Sequence, residues 1–311
     1  MSIYTREELE KLLQVNGQEK VYLPNSIFAE LKRTMVGHEK NKSSKHIPFA
    51  YAYVFLISYL WRYAKFGSST NDYDYTEKEL KRLLGVNEVS KGFDYITKKG
   101  GTLEQLGYIR KESDYPVSVR LDDNNFLEFT MYSEIIEYIP HELKQSRRNR
   151  KVNFPVRGYY SCPESEEDNY EDGYFFEIEN THEVSIETFL HCMSKEDIGL
   201  EGFYVFQYLS YQSNHGERFW NCPQNYFESE FGVNAKMVRE KIKALEAYNM
   251  IENTHELMIL GLPADVKAFA NGYSVIESIY WRETKKEVPK RKVMSYKKAL
   301  REFGDTVFLY S

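Results

Sequence analysis

The chain has 311 residues, 42% of them hydrophobic and 28% charged, an ordinary globular balance whose length suggests about two domains. Its net charge of −6 means that a nucleic-acid role requires cations gathered in patches, because the local field is what a phosphate backbone feels. No apolar run approaches the roughly 18 residues needed to cross a bilayer, the start Met1-Ser2-Ile3-Tyr4-Thr5-Arg6-Glu7-Glu8 holds no apolar h-region, and three cysteines without a Cys-x-x-Cys pair argue against a disulfide framework or zinc ribbon, so a cytoplasmic chain with reduced thiols is expected.

Residues 1–47 read as an N-terminal helical extension. Thr5 and Glu8 have capping-box spacing ahead of Leu9, Leu12 and Leu13, and the resulting short helix either docks on the body or mediates self-association. Residues 53–60 are aromatic-rich and apolar around most of a helical cylinder, which predicts a buried helix. Thr76, followed by Glu77 and Glu79, is a strong helix start, with Leu80, Leu83 and Leu84 marking the inner face. Gly85 lets the chain leave that helix, and Asn87 is placed to cap the next one, which is expected to end at Gly107. On it Lys91, Tyr95 and Lys98 share a face opposite Phe93 and Ile96, although Gly92 sits inside and Gly100-Gly101 interrupt it before Thr102. Residues 108–121, the turn at Asp122-Asp123-Asn124-Asn125 and residues 126–131 read as a hairpin. Arg110, Lys111 and Arg120 on it could lie along a groove or be solvated strand ends.

Between residues 144 and 157 the cations Lys144, Arg147, Arg148, Arg150, Lys151 and Arg157 occur with no acid among them, and an acidic block from Glu164 to Asp172 follows. This stretch is read as a linker, either plain or tracking a DNA backbone or minor groove. Further on, residues 204–211 form a second aromatic-rich apolar helix, and Pro223 opens a segment whose inner face is Tyr226, Phe227 and Phe231. Gly232 supplies the turn and Asn234 the next cap. From Asn234 to Tyr248, Lys236, Arg239, Glu240 and Lys243 fall in one stripe, with Val238, Ile242 and Leu245 on the other side. Met250-Ile251, a polar stretch 252–256 and residues 257–260 read as a second hairpin. The end is basic again: Lys285, Lys286, Lys290, Arg291, Lys292, Lys297, Lys298 and Arg301 precede the apolar residues 306–310.

The two halves echo each other about 150 residues apart. Residues 53–60 match 204–211, Gly85-Val86-Asn87 matches Gly232-Val233-Asn234, and residues 103–109 match 245–251, in the same order. Helix, glycine turn and capped helix is the helix-turn-helix pattern. The stretch Leu245-Glu246-Ala247-Tyr248-Asn249-Met250-Ile251, with Lys241-Ile242-Lys243-Ala244 before it, resembles the end of a winged-helix recognition helix running into its wing. Tandem winged helices are similar to the architecture of plasmid replication initiators. The resemblance implies an α+β fold of two winged-helix domains, 48–140 and 184–280, with the extension 1–47, a basic and acidic linker 141–183 and a basic tail 281–311. It implies sequence-specific binding of double-stranded DNA at repeated sites, with a second copy of the chain and replication proteins as further partners and no membrane. Its role would be replication initiation of a plasmid or similar element; transcription regulation and a protein-interaction module are the alternatives. The residues singled out for DNA are Lys236, Arg239 and Lys243; Lys91, Tyr95 and Lys98; Arg110 and Lys111; and Arg147, Arg148, Arg150 and Lys151.

Motifs of familiar chemistry are missing. There is no phosphate-binding Gly-x-x-x-x-Gly-Lys-Ser/Thr loop, and the His-Glu pairs at His38, His141, His182 and His255 lack a second histidine four positions on. His191 and Cys192 are adjacent, so on a helix their side chains do not face one another. No cofactor, metal or catalytic residue is expected, and the chain is read as a binding protein rather than an enzyme.

Overall fold

A computed structural model describes residues 4–38, 43–67, 74–121, 127–139, 150–158, 180–263 and 270–304. They fall into two units, Met1–Phe203 and Tyr204–Ser311. The architecture is mixed α+β, with helices packed around small, mostly antiparallel sheets.

In the first unit, Thr5 and Glu8 form the reciprocal cap that their spacing predicts, the Thr5 hydroxyl accepting from Glu8 N at 3.2 Å and the Glu8 carboxylate from Thr5 N at 2.7 Å. They open α1 (Arg6–Leu12), which docks on its own unit: Arg6 forks onto the Glu187 carboxylate and Tyr75 donates to the Leu12 carbonyl at 2.7 Å. β1 (Lys20–Pro24) leads into α2 (Ser26–Met35) and pairs antiparallel with Thr181–Ser185, here β6. The extension and the end of the supposed linker are thus joined in one sheet. The core is α3 (His46–Arg62), in which every residue from His46 to Trp61 is buried. Many of its polar groups are satisfied internally. Tyr51 Oη lies 2.7 Å from His182 Nε2, and His182 Nδ1 lies 3.0 Å from Asn25 Oδ1. The buried Lys65 ammonium meets the buried Glu19 carboxylate at 2.7 Å, and Tyr59 donates to the same carboxylate.

α4 (Glu77–Leu83) starts at Thr76 with a second capping box, and Gly85 (φ +65°) takes the chain off it. The single helix expected over 87–107 does not form. The Asn87 side chain accepts from Val89 N in a turn, a 3-10 turn covers Lys91–Phe93, and two one-turn helices follow, α5 (Asp94–Thr97) and α6 (Thr102–Gln105). The glycines account for the break: Gly100 sits at φ +69°, and a Cβ on Gly101 would come within 2.7 Å of the Tyr95 and Lys98 carbonyl oxygens. The hairpin forms as expected between Pro116–Leu121 and Leu127–Met131, but its first residues, 109–112, do not belong to it. β2 (Ile109–Glu112) pairs antiparallel not with the strands that follow but with β5 (Val152–Pro155). A separate hairpin of β3 (Pro116–Leu121) and β4 (Leu127–Met131) stands between them in the chain. Asp114 separates β2 from β3 by turning its carboxylate back onto Tyr115 N and onto Ser133, while Tyr115 is wholly buried. Residues 152–155 are therefore sheet and not linker. After β4 come the single turn α7 (Tyr132–Ile135) and, beyond β6, α8 (Ile186–Met193), whose Phe189 packs on Phe55 and Phe203.

The division into units falls inside α9 (Gly199–Gln212). In the second unit Tyr204 donates to the Phe231 carbonyl at 2.8 Å, and Tyr208, Trp220, Phe227, Phe231 and Tyr273 form an aromatic core. β7 (Trp220–Cys222) is followed by a 3-10 turn and α10 (Phe227–Phe231), then by α11 (Ala235–Ala247). β8 (Ile251–Asn253) pairs with β10 (Asn271–Val275), and β10 pairs in turn with β7, giving an antiparallel sheet in the order β7–β10–β8. This replaces the expected pairing of 250–251 with 257–260. β9 (Met258–Leu260) instead runs parallel to β11 (Val293–Ser295), which is followed by α12 (Tyr296–Phe303). The basic stretch up to residue 304 is thus folded onto the second unit.

Candidate nucleic-acid interface

The stripe over 234–248 lies on the best-built helix of the second unit. Gly232 (φ +67°) ends α10, and the Asn234 side chain accepts from Lys236 N at 2.9 Å and Met237 N at 3.4 Å, satisfying two of the otherwise orphaned donors of α11. Met237, Val238, Ile242 and Leu245 face inward and are buried. At the other end Asn249 (φ +61°) allows Met250 N to bond back to the Leu245 carbonyl at 2.9 Å, which closes the helix. Lys236, Arg239, Glu240 and Lys243 are all exposed along the outer face. At 1.5 Å rise per residue the stripe from Lys236 to Lys243 is about 10 Å long, roughly three base-pair steps. Lys236 and Glu240 approach only to 4.0 Å at the open surface, a pair worth well under about 1 kcal/mol that leaves both ends available.

A feature that sequence reasoning missed holds the loop after β8 to this helix. Glu246, buried in the last turn of α11, accepts from His255 Nε2 at 2.5 Å and from the Asn253 side chain at 3.4 Å. His255 itself sits at φ +50°. The sequence signal was a carboxylate inside an otherwise apolar closing turn, repeated as Glu104 in the first half. There Glu104 has another role, accepting from Gly100 N.

The residues singled out in the first unit are not brought together on one helix face. Lys91 and Lys98 are exposed, but Tyr95 is buried, its ring stacked on His38 and its hydroxyl 3.0 Å from His46 Nδ1. This corrects the expectation of a shared outer face, since that face required the unbroken helix. On β2 Arg110 is exposed, paired with Glu112 at 2.5 Å and lying over the Phe154 ring, whereas Lys111 points the other way and burial lowers its pKa. Arg150 is also corrected: its side chain is only 11% exposed, it stacks 4.7 Å above the Tyr115 ring, and it donates to the Asp74 carbonyl, so it is a packing residue. Lys151 is exposed, and Arg147 and Arg148 lie outside the described residues.

Charge follows the same division. Residues 204–311 hold 15 Lys and Arg against 13 Asp and Glu, a net +2, so residues 1–203 carry −8 of the total −6. Among the described residues no group of three or more His, Cys, Asp or Glu could hold a metal, and no helix is long and apolar enough to cross a membrane. Burial, with Glu230 adding to it, pushes the Cys222 thiol up to about 12, so it is poorly disposed to form a nucleophilic thiolate. No protein-family model, curated protein or solved structure matches the chain. The site's own chemistry therefore carries the functional reading.

Proposed function

We propose that this chain binds duplex DNA through its second unit, with α11 as the recognition helix of a winged-helix module. The observation that carries the reading is a capped, well-packed helix with Lys236, Arg239 and Lys243 exposed in register on its outer face. The order around it supports the same reading: helix, strand, helix, helix, then β8, β9 and β10, of which β8 and β10 join β7 in one sheet with β10 central. A helix of this width fits a major groove, where arginine reads guanine by two hydrogen bonds and lysines contact phosphates or guanine edges. Glu240 in the same stripe is suited to accept from a cytosine amino group.

The first unit, with its echo of the helix-turn-helix order, supports a tandem winged-helix origin; its broken second helix, buried Tyr95 and net −8 favour contacts with protein over base reading. The role we favour is replication initiation of a plasmid or similar element at iterated sites, with transcription regulation sharing the same chemistry. Iterated repeats beside or inside the coding region separate the first role from the second.

The test is fluorescence anisotropy with random and selected duplexes over a salt series. The logarithm of affinity should fall steeply and linearly with the logarithm of salt. Arg239→Ala should lose about 1–3 kcal/mol on the selected site and less on random DNA. Equal loss on both would refute base reading, and no salt-dependent retention would refute DNA binding.

A further inference from the structure

Within the basic C-terminal stretch, residues 290–303 lie on elements other than α11, although a DNA role for them rests on the reading of α11 as the recognition helix. Residues 290–303 hold six cations and the one acid Glu302. The fold fixes this stretch in place. Val293, Met294 and Ser295 pair in parallel with Met258, Ile259 and Leu260. Met258 N donates to the Lys292 carbonyl at 2.9 Å, and Arg291 Nε donates to the Glu256 carbonyl at 2.6 Å. Arg291 is therefore occupied in attaching the strand. α12 follows without a gap, capped by the Ser295 hydroxyl on Lys298 N at 3.3 Å.

Helical spacing then sorts the side chains. Tyr296, Ala299, Leu300 and Phe303 share one face; Ala299 is wholly buried, and Tyr296 and Leu300 are half-buried. Lys297, Lys298 and Arg301 share the opposite face and are exposed, as are Lys290 and Lys292 on the strand side. β9, which carries this element, belongs to the loop between β8 and β10, the strands that follow the recognition helix.

We propose that residues 290–303 form a second DNA-contacting element, a basic strand and helix built onto the wing, which grips the phosphate backbone beside the bases read by α11. A basic amphipathic helix can also lie on an anionic membrane. Here Ala299 is buried at the centre of the apolar face while Val293 and Phe303 stay exposed, but the five exposed cations Lys290, Lys292, Lys297, Lys298 and Arg301 outnumber them, and such a density of charge suits a phosphate backbone.

Two variants of the full chain test this: Lys297→Ala with Lys298→Ala and Arg301→Ala, and separately Lys290→Gln with Lys292→Gln. The substituted side chains are exposed, so the melting midpoint should stay within about two degrees and serves as the folding control. Each variant should reduce the slope of log affinity against log salt, by about one for each phosphate no longer neutralised, and weaken selected and random duplex equally. Arg239→Ala should do the reverse, changing the ratio between the two duplexes. An unchanged slope in both variants, while Arg239→Ala still loses discrimination, overturns this proposal and leaves the recognition helix standing. Absence of salt-dependent duplex binding in the wild type removes the recognition-helix reading itself. An unchanged slope together with lost binding to phosphatidylserine vesicles assigns the basic face to a membrane, and equally overturns the proposal.

Discussion

His46 opens the buried helix of the first unit, with its Nδ1 3.0 Å from the Tyr95 hydroxyl and its ring edge-on to Phe93. Burial pushes its pKa below the ordinary histidine value, so the folded chain holds the ring neutral where the unfolded chain would protonate it. The stability tied to this residue is fully present above the unfolded value of about 6.5 and is lost as pH falls through the lower folded value. Thermal melts from about pH 7.5 to 5 should show the wild-type midpoint dropping, and His46→Gln, less stable at the upper end, should show a shallower drop; parallel curves would reject the assignment. At this scale the sequence was a partial guide. Lys236, Arg239 and Lys243 could be placed because an unbroken 3.6-residue period relates their positions to buried Val238, Ile242 and Leu245. Tyr95 and Arg150 could not, because their surroundings come from His38, Tyr115 and Asp74, which no local period connects to them.

At the scale of elements, caps were the most legible feature, since they depend on three or four consecutive residues. Thr5, Thr76 and Asn234 all cap the helices that their positions announce. Asn234 holds two amides of α11, so Asn234→Ala should destabilise the chain by about 1 kcal/mol in urea titration. Because the helix start carries Lys236, the same change should weaken duplex binding; a variant with unaltered stability would show that the cap is dispensable. Strand partners were legible only where a turn joins them, as for β3 and β4 across residues 122–126. Alternation locates a strand without naming its neighbour, and β2 finds β5 some 40 residues later while β9 finds β11 across a comparable distance. The break in the first unit's second helix was signalled by Gly100-Gly101, because two such residues remove both the side-chain restraint and the space that a continuous helix uses.

Taken whole, the molecule is an unequal repeat. Both halves contain a long buried helix, a short helix ending at a glycine in the left-handed region, and a strand after the next helical segment. In the second half that next segment is an uninterrupted 13-residue helix with its cations outward; in the first half it is broken into single turns. The second half is also the one with net positive charge. A chain with one reading unit occupies one site, whereas two reading units would let a single chain span two. On a duplex carrying two sites one helical turn apart, sedimentation should therefore find two chains per duplex at saturation; one chain per duplex would restore base reading to the first half.

The Glu246 carboxylate ties the end of α11 to both Asn253 and His255, and Asn249 just beyond is tied through its side chain to the Tyr280 carbonyl and the Lys286 ammonium. Four hydrogen bonds thus hold the end of the helix to the segments that follow it. Under the proposed DNA-binding reading, a duplex seated across them would supply the adjustment itself, by bending or by changing its groove width. Base steps that yield easily, such as TA and CA, would be favoured even where no side chain reaches them.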